Sequence, residues 1–115
     1  STIACLGLSY KSDIDDLRES PALKIIKNLA AKHFGPILVA EPNIPELPLY
    51  LSVEENIKYC LYEQAIHEAN TVIVLTDHKE FKAIDLSRLE DKMVIDTRGI
   101  WRKDKLGTAE SVNSD

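Results

Sequence analysis

Four short and uninterrupted apolar runs constrain the fold of this chain more than any other feature of its sequence. None of them alternates between apolar and polar residues, so each is typical of a strand buried on both faces of a parallel sheet. A fifth, weaker run covers residues 57–60. The four strong runs are residues 3–8, 37–40, 72–75 and 93–95.

Helical patterns separate these runs. Ser20 and Pro21 favour a helix start, since Ser can cap a helix and Pro suits its first position. Gly35 predicts the end of that helix. Residues 61–69 predict a second helix, and residues 79–89 predict a short helical turn followed by another. The first helix places apolar residues at helical spacing, namely Leu23, Ile26, Leu29 and Ala30. In the second, Leu61, Ala65 and Ala69 are expected along one face.

This alternation predicts an α/β fold with a mostly parallel sheet of about five strands, flanked by helices and joined by right-handed crossovers. Ligands of such sheets bind beyond the carboxyl ends of the strands, near the point where strand order reverses. We therefore expect functional residues directly after the strands. The segments so marked are residues 9–18, 41–43, 76–78 and 96–98.

Composition excludes several classes of protein. A length of 115 residues suits one domain. The formal charge of −5 argues against nucleic-acid binding through a general basic field. No apolar run approaches the roughly 20 residues of a membrane span. Cys5 and Cys60 lack the spacing of a zinc site or disulfide framework, so we expect reduced, structural cysteines and a cytoplasmic location.

The segment after the first strand is rich in charge but poor in glycine. It contains Lys11 and Arg18, and Gly7 is the one glycine where a dinucleotide fingerprint needs three. Backbone amides alone are therefore not expected to hold a pyrophosphate here. Lys11 and Arg18 are candidates to bind an anion through their side chains, although a solvated loop with internal ion pairs fits the same pattern.

An acidic cluster in the same segment allows a different hypothesis. A magnesium-dependent phospho-acceptor of the receiver type would use such acids together with Asp77 as the acceptor. The neighbouring cations argue instead for anion binding or ion pairing. The acids concerned are Asp13, Asp15 and Asp16.

The later strand ends carry further candidates. Arg98 is suited to a phosphate or a uracil-type carbonyl, or to an ion pair with Asp96 or Asp77. His78 is either a general base or a structural residue, and a structural role fits a lone His better. Trp101 is interpreted as a packing residue. For Glu41 we expect local hydrogen bonding around Pro42 and Asn43.

Longer motifs carry a family resemblance over residues 3–102. In chain order they are GLSYKSDIDDLRESPAL at residues 7–23, VAEPNI at 39–44, ELP at 46–48, VLTDHKEF at 74–81 and VIDTRGIW at 94–101. Together they resemble the C-terminal domain of the UDP-glucose/GDP-mannose dehydrogenase family. The combination EPNI, DHKEF and DTRGIW is most similar to its UDP-N-acetyl-D-mannosamine dehydrogenase branch, with UDP-N-acetylglucosamine and UDP-glucose enzymes as alternatives.

The resemblance implies a Rossmann-like three-layer sandwich that belongs to a longer, NAD-dependent enzyme. Such an enzyme oxidises the sugar C6 alcohol to a carboxylate in two hydride transfers, through a thiohemiacetal and a thioester on a catalytic cysteine. An N-terminal domain binds NAD, a central helical region carries the cysteine and forms the dimer, and the C-terminal domain closes over the UDP-sugar. The chain would then hold no catalytic residue and no metal, and would be inactive alone.

The same resemblance assigns roles to matching positions. Tyr10 and Lys11 would contact the UDP-sugar, although many family members have Phe where Tyr10 stands. Arg18 would reach NAD across the interdomain cleft, and Arg98 would contact the nucleotide sugar. The implied UDP-sugar-binding domain covers residues 1–102. Residues 103–115 are small and polar and are predicted to form a disordered tail.

Overall fold

The computed structural model describes residues 1–8 and 20–101, and these form a five-stranded, wholly parallel sheet. The strand order is β3-β2-β1-β4-β5, so the direction of strand addition reverses beside β1. The predicted α/β fold with a parallel sheet of about five strands is confirmed. The strands are β1 (Ile3–Leu6), β2 (Ile37–Ala40), β3 (Ile57–Tyr59), β4 (Thr71–Val74) and β5 (Met93–Asp96).

Helices cover both faces of the sheet, as a three-layer sandwich requires. One core lies between the sheet and helices α1 and α2, and a second lies between the sheet and α3, α4 and the 3₁₀ helix. Successive strand residues point to opposite faces, so Cys5 joins the first core while Ala4 and Leu6 join the second. The helices are α1 (Pro21–Lys32), α2 (Leu49–Ser52), α3 (Tyr62–Glu68), α4 (Lys79–Lys82) and the 3₁₀ helix Leu86–Leu89.

The prediction of strands buried on both faces is correct for β1 and β2 and wrong for β5. Every residue of β1 and β2 is buried. In β5, Met93 is 66% exposed and Ile95 45% exposed, although both are apolar. The first core contains no residue of β5, because α1 and α2 pack over β1, β2 and β3, which form the other half of the sheet. An apolar run therefore indicated a strand correctly but did not indicate its position at an edge.

Details at the helix ends differ from the sequence predictions. Leu61 precedes α3 and is exposed, so the buried face of that helix is formed by Ala65, Ile66 and the following Ala69. Helix α1 ends at Lys32, before Gly35. Ser20 stands at the N-cap of α1, but its hydroxyl makes no capping bond and donates instead to the carbonyl of Leu8.

Gly7 is a residue at which the fold leaves no space for a side chain. Its φ is +106°, a conformation that L-residues other than glycine rarely adopt. A Cβ atom built there would lie 2.5 Å from Cβ of Thr76 and 3.0 Å from the Thr76 nitrogen. The turn after β1 therefore packs directly on the turn after β4. This close approach brings together the strand ends where a ligand is expected.

The described residues also allow the predictions about a membrane span and about the two cysteines to be compared with the structure. Within residues 1–8 and 20–101, no helix has both the length and the apolar character needed to cross a bilayer. Cys5 is buried and unpaired, and burial raises the pKa of its thiol to about 12. Burial, followed by the nearby charge of Glu68, also raises the pKa of Cys60. Both thiols are thus poor nucleophiles, which agrees with a structural role.

Candidate functional site

A cleft lies at the carboxyl edge of the sheet, next to the point where strand order reverses. One wall is the first turn of α1, and the other is formed by residues that follow β4 and β5. The cleft has a volume of about 230 Å³. Its position is the one predicted for ligands of a parallel α/β sheet. The lining residues are Ser20, Pro21, Ala22, Ile25, Leu75, Thr97 and Arg98.

Arg98 supplies the positive charge of this cleft. Its side chain is 42% exposed, and its Nη2 atom lies 3.8 Å from Oδ1 of Asp77. The sequence left a choice between Asp96 and Asp77 as its ion-pair partner, and the structure shows Asp77. A guanidinium carries five N–H donors, so this long ion pair uses little of its binding capacity. The geometry therefore suits recognition of an anion or a carbonyl.

The turn that carries Arg98 is fixed by Asp96. The Asp96 carboxylate accepts hydrogen bonds from the backbone amides of Arg98 at 3.3 Å, Ile100 at 3.2 Å and Trp101 at 2.8 Å. Trp101 is buried, and its Nε1–H donates to the carbonyl of Phe81 at 2.9 Å. The interpretation of Trp101 as a packing residue is confirmed. These contacts hold the Arg98 backbone in place while the side chain stays accessible.

The opposite wall is the beginning of a 12-residue helix whose first turn holds no acidic residue. Helix N-termini carry a partial positive charge, and Ser20 provides no side-chain cap to the amides there. The Arg98 guanidinium and the partial positive charge of a helix end therefore lie on opposite sides of the cleft. The apolar side chains of Ile25 and Leu75 line the space between them.

A buried pair, Glu41 and His78, lies beneath the same edge of the sheet. Nε2 of His78 is 3.0 Å from Oε1 and 2.9 Å from Oε2 of Glu41, and both side chains are fully buried. Glu41 also accepts the backbone amides of Leu8 at 2.7 Å and of Asn43 at 3.0 Å. The expected local bonding at Asn43 is present. The links to Leu8 and His78 were not predicted, and they support a structural role for His78.

The environment of Glu41 sets its ionisation. Desolvation by burial raises its pKa, but the hydrogen bonds from His78, Leu8 and Asn43 outweigh that effect, so the pKa is lowered from 4.5. A carboxylate with a lowered pKa stabilises the folded state fully above its unfolded pKa. That contribution is lost as the pH falls through the folded value.

Replacement of Glu41 by Gln is therefore expected to have a pH-dependent effect on stability. At pH 7 the variant should lose about 2 kcal/mol of unfolding free energy, because buried donors lose a charged acceptor. The difference from wild type should shrink as the pH falls below 4.5. Urea unfolding between pH 3 and pH 7 measures it, with Glu55→Gln at an exposed site as the control. A difference that is constant over this range would contradict the assignment.

Three predicted site residues lie outside the described residues. Tyr10, Lys11 and Arg18 belong to residues 9–19, as do the acids of the magnesium hypothesis, so their roles stay predictions. Within the part that the structure describes, no group of three or more His, Cys, Asp or Glu side chains is placed to hold a metal ion. Residues 102–115, including the predicted tail, are also outside it.

Comparison with known proteins agrees with this geometry. The profile of the UDP-glucose/GDP-mannose dehydrogenase family, UDP binding domain, matches residues 4–103. The chain belongs to this family. The matched UDP binding domain includes the residues that line the cleft, and the predicted resemblance is confirmed.

Individual members of the dehydrogenase family are similar over the same region. The UDP-N-acetyl-D-mannosamine dehydrogenase of Campylobacter jejuni is 58% identical over 79 residues, which are 69% of this chain and 19% of that protein. The NDP-N-acetyl-D-galactosaminuronic acid dehydrogenase of Ralstonia solanacearum is 44% identical over 104 residues, 90% of this chain and 24% of that protein.

A solved structure shows the same likeness. The UDP-D-ManNAc dehydrogenase of Pyrococcus horikoshii superposes with a TM-score of 0.67 and 27% identity, covering 90% of this chain and 23% of that one. The chain therefore spans about a quarter of the length of the relatives it matches.

The sequence after β1 lacks the glycine pattern of a dinucleotide-binding cradle. In a dinucleotide cradle, several glycines let the backbone approach the pyrophosphate. Here Gly7 is the one glycine between β1 and the start of α1. This part of the dehydrogenase-family domain is thus unsuited to hold NAD by that means.

Proposed function

We propose that this chain is the UDP-sugar-binding domain of an NAD-dependent UDP-N-acetyl-D-mannosamine 6-dehydrogenase. Such an enzyme oxidises the sugar C6 alcohol to a carboxylate. The similarity to UDP-N-acetyl-D-mannosamine dehydrogenases supports this choice. Family members that act on UDP-glucose or UDP-N-acetylglucosamine are the alternatives. The parent enzyme is proposed to be a cytoplasmic homodimer or larger oligomer that interacts with neither membrane nor nucleic acid.

One observation carries the proposal, namely the position of Arg98 across the cleft from the start of α1. A UDP group offers a diphosphate and uracil carbonyls, and both are acceptors. Arg98 can donate to either through a planar guanidinium, while the helix end favours the negative charge. Because the chain as a whole carries a charge of −5, this recognition depends on a few well-placed cations.

The domain contributes binding energy to the reaction, and the bond changes occur elsewhere in the parent enzyme. Tyr10 and Lys11 are proposed to contact the UDP-sugar together with Arg98. Arg18 is proposed to reach the NAD, which the N-terminal domain of the parent enzyme would hold. Neither Cys5 nor Cys60 acts as the nucleophile.

Removing a cation from this site should weaken substrate binding. In the complete enzyme, Arg98→Ala or Lys11→Ala is expected to cost about 1.5–3 kcal/mol, since each variant loses charge-assisted hydrogen bonds. That corresponds to a roughly 10- to 150-fold rise in the KM for the UDP-sugar. Steady-state kinetics measure it, with Lys58→Ala on β3 as an exposed control. Unchanged KM values in both variants would contradict the assigned roles.

The function itself is tested by assaying the complete protein with a panel of UDP-sugars. We expect NADH to form fastest with UDP-N-acetyl-D-mannosamine, at two NADH per sugar. We expect no NADH from this 115-residue chain alone. A preference for UDP-glucose or UDP-N-acetylglucosamine would select the corresponding alternative. NADH production by the isolated chain would refute the assignment of a binding domain.

A further inference from the structure

Hydrogen bonds, one peptide bond and one ion pair connect the two walls of the cleft. On one wall, Ser20 at the start of α1 donates to the carbonyl of Leu8. The amide of Leu8 in turn donates to Oε1 of Glu41 at 2.7 Å. Glu41 therefore fixes the amide of Leu8, and the carbonyl of Leu8 accepts the hydrogen bond from the start of α1.

The same contacts continue to the other wall. Glu41 binds Nε2 of His78, and Nδ1 of His78 lies 3.5 Å from the side-chain amide nitrogen Nδ2 of Asn43. His78 follows directly on Asp77, whose carboxylate pairs with Arg98. The His78 ring is also packed against the ring of Phe81, with 5.4 Å between centroids. A fixed His78 therefore restrains the backbone of the neighbouring Asp77, and the Asp77 carboxylate orients the exposed end of the Arg98 side chain.

We propose that Glu41 and His78 are a positioning pair that sets the distance between the start of α1 and Arg98, and thereby the affinity for the nucleotide. This inference rests on the proposed binding of a UDP group in the cleft. Neither residue touches the ligand. The pair acts through Leu8 and Ser20 on one side and through Asp77 on the other.

Energetics argue that the pair does more than stabilise the fold. A buried carboxylate with a hydrogen-bonded partner is commonly no more stabilising than apolar residues of similar volume, because the carboxylate loses its hydration. Hydrogen bonds, unlike apolar contacts, fix direction as well as proximity. Here they connect the ends of β1, β2 and β4 at the one edge of the sheet that forms the cleft.

The test is a double-mutant cycle on UDP affinity, measured by calorimetry with the 115-residue chain well below its unfolding temperature. His78→Leu removes the donor to Glu41, and His78→Gln keeps an amide donor near the position of Nε2. Each is made alone and with Arg98→Ala. Glu55→Gln, exposed before β3 at the opposite end of the sheet, is the control. Glu41→Gln replaces His78→Leu if the latter does not fold.

We expect His78→Leu to weaken UDP binding about tenfold when Arg98 is present and about threefold when Arg98 is absent, because the route through Asp77 ends on Arg98 while the route through Leu8 and Ser20 remains. His78→Gln should bind UDP within about threefold of the wild-type affinity, and the control Glu55→Gln should bind with the wild-type affinity. Equal affinity of His78→Leu and wild type, or equal losses with and without Arg98, would overturn the inference. Failure of the wild-type chain to bind UDP would instead refute the proposed function, and the inference with it.

Discussion

Replacement of Gly7 by Ala is expected to lower the free energy of unfolding by about 3–5 kcal/mol. Two costs add. A backbone conformation that only glycine adopts readily costs about 1–3 kcal/mol for another residue. The new Cβ atom would also lie 2.5 Å from the Thr76 side chain, and overpacking of this kind costs about 1–3 kcal/mol. Thermal unfolding should report a fall in Tm of roughly 15 °C or more.

The comparison variant for Gly7 is Glu55→Ala, an exposed change at the opposite end of the sheet. Its expected effect lies within about 0.5 kcal/mol. If Gly7→Ala were as stable as this control, the turns after β1 and β4 would not be packed as described. The cleft beside them would then lose its structural basis.

Replacement of Trp101 by Ala is the second change with a large expected effect, also about 3–5 kcal/mol. The side chain is 8% exposed and belongs to the core that includes Phe81 and Ile100. Its removal creates a cavity in that core, and buried Trp or Phe side chains cost this amount when truncated. Because Trp101 also anchors the turn held by Asp96, the variant should bind UDP more weakly as well.

Trp101→Phe separates packing from hydrogen bonding in that prediction. It keeps most of the apolar area but leaves the carbonyl of Phe81 without its indole donor, so we expect a loss of about 1 kcal/mol. Denaturant unfolding of the three proteins gives both values. Equal losses in the Ala and Phe variants would show that the core near Trp101 is not closely packed.

The strands and the parallel sheet could be predicted well because the spacing of apolar residues and the apolar character of each run are local properties of the sequence. Both strongly apolar central strands, β1 and β2, were recognised from their residues alone. The exposure of Met93 and Ile95 was not, since an edge position depends on which helices cover that part of the sheet. The exposed Leu61 is a similar case, because it fits the helical period of α3 but precedes the helix.

The site was predicted in part for the same reason. The rule that ligands bind at strand ends marked Arg98, Glu41 and His78 as residues at one edge. Their partners depend on strand order, which no local pattern contains. Once β1 is known to lie between β2 and β4, the acid after β2 and the histidine after β4 are brought together beneath the end of β1. The residues at the strand ends could be identified from the sequence, but which of them lie in contact depends on the strand order.

The central claim is that UDP binds in the cleft between the start of α1 and Arg98. Titration of the ¹⁵N-labelled chain with UDP, followed by amide chemical shifts, tests it directly. We expect saturable shifts at Ala22, Thr97 and Arg98, and their loss in Arg98→Ala. Saturable shifts confined to the amino edge of the sheet, around Glu55 and Asn70, or no shifts at all, would contradict it.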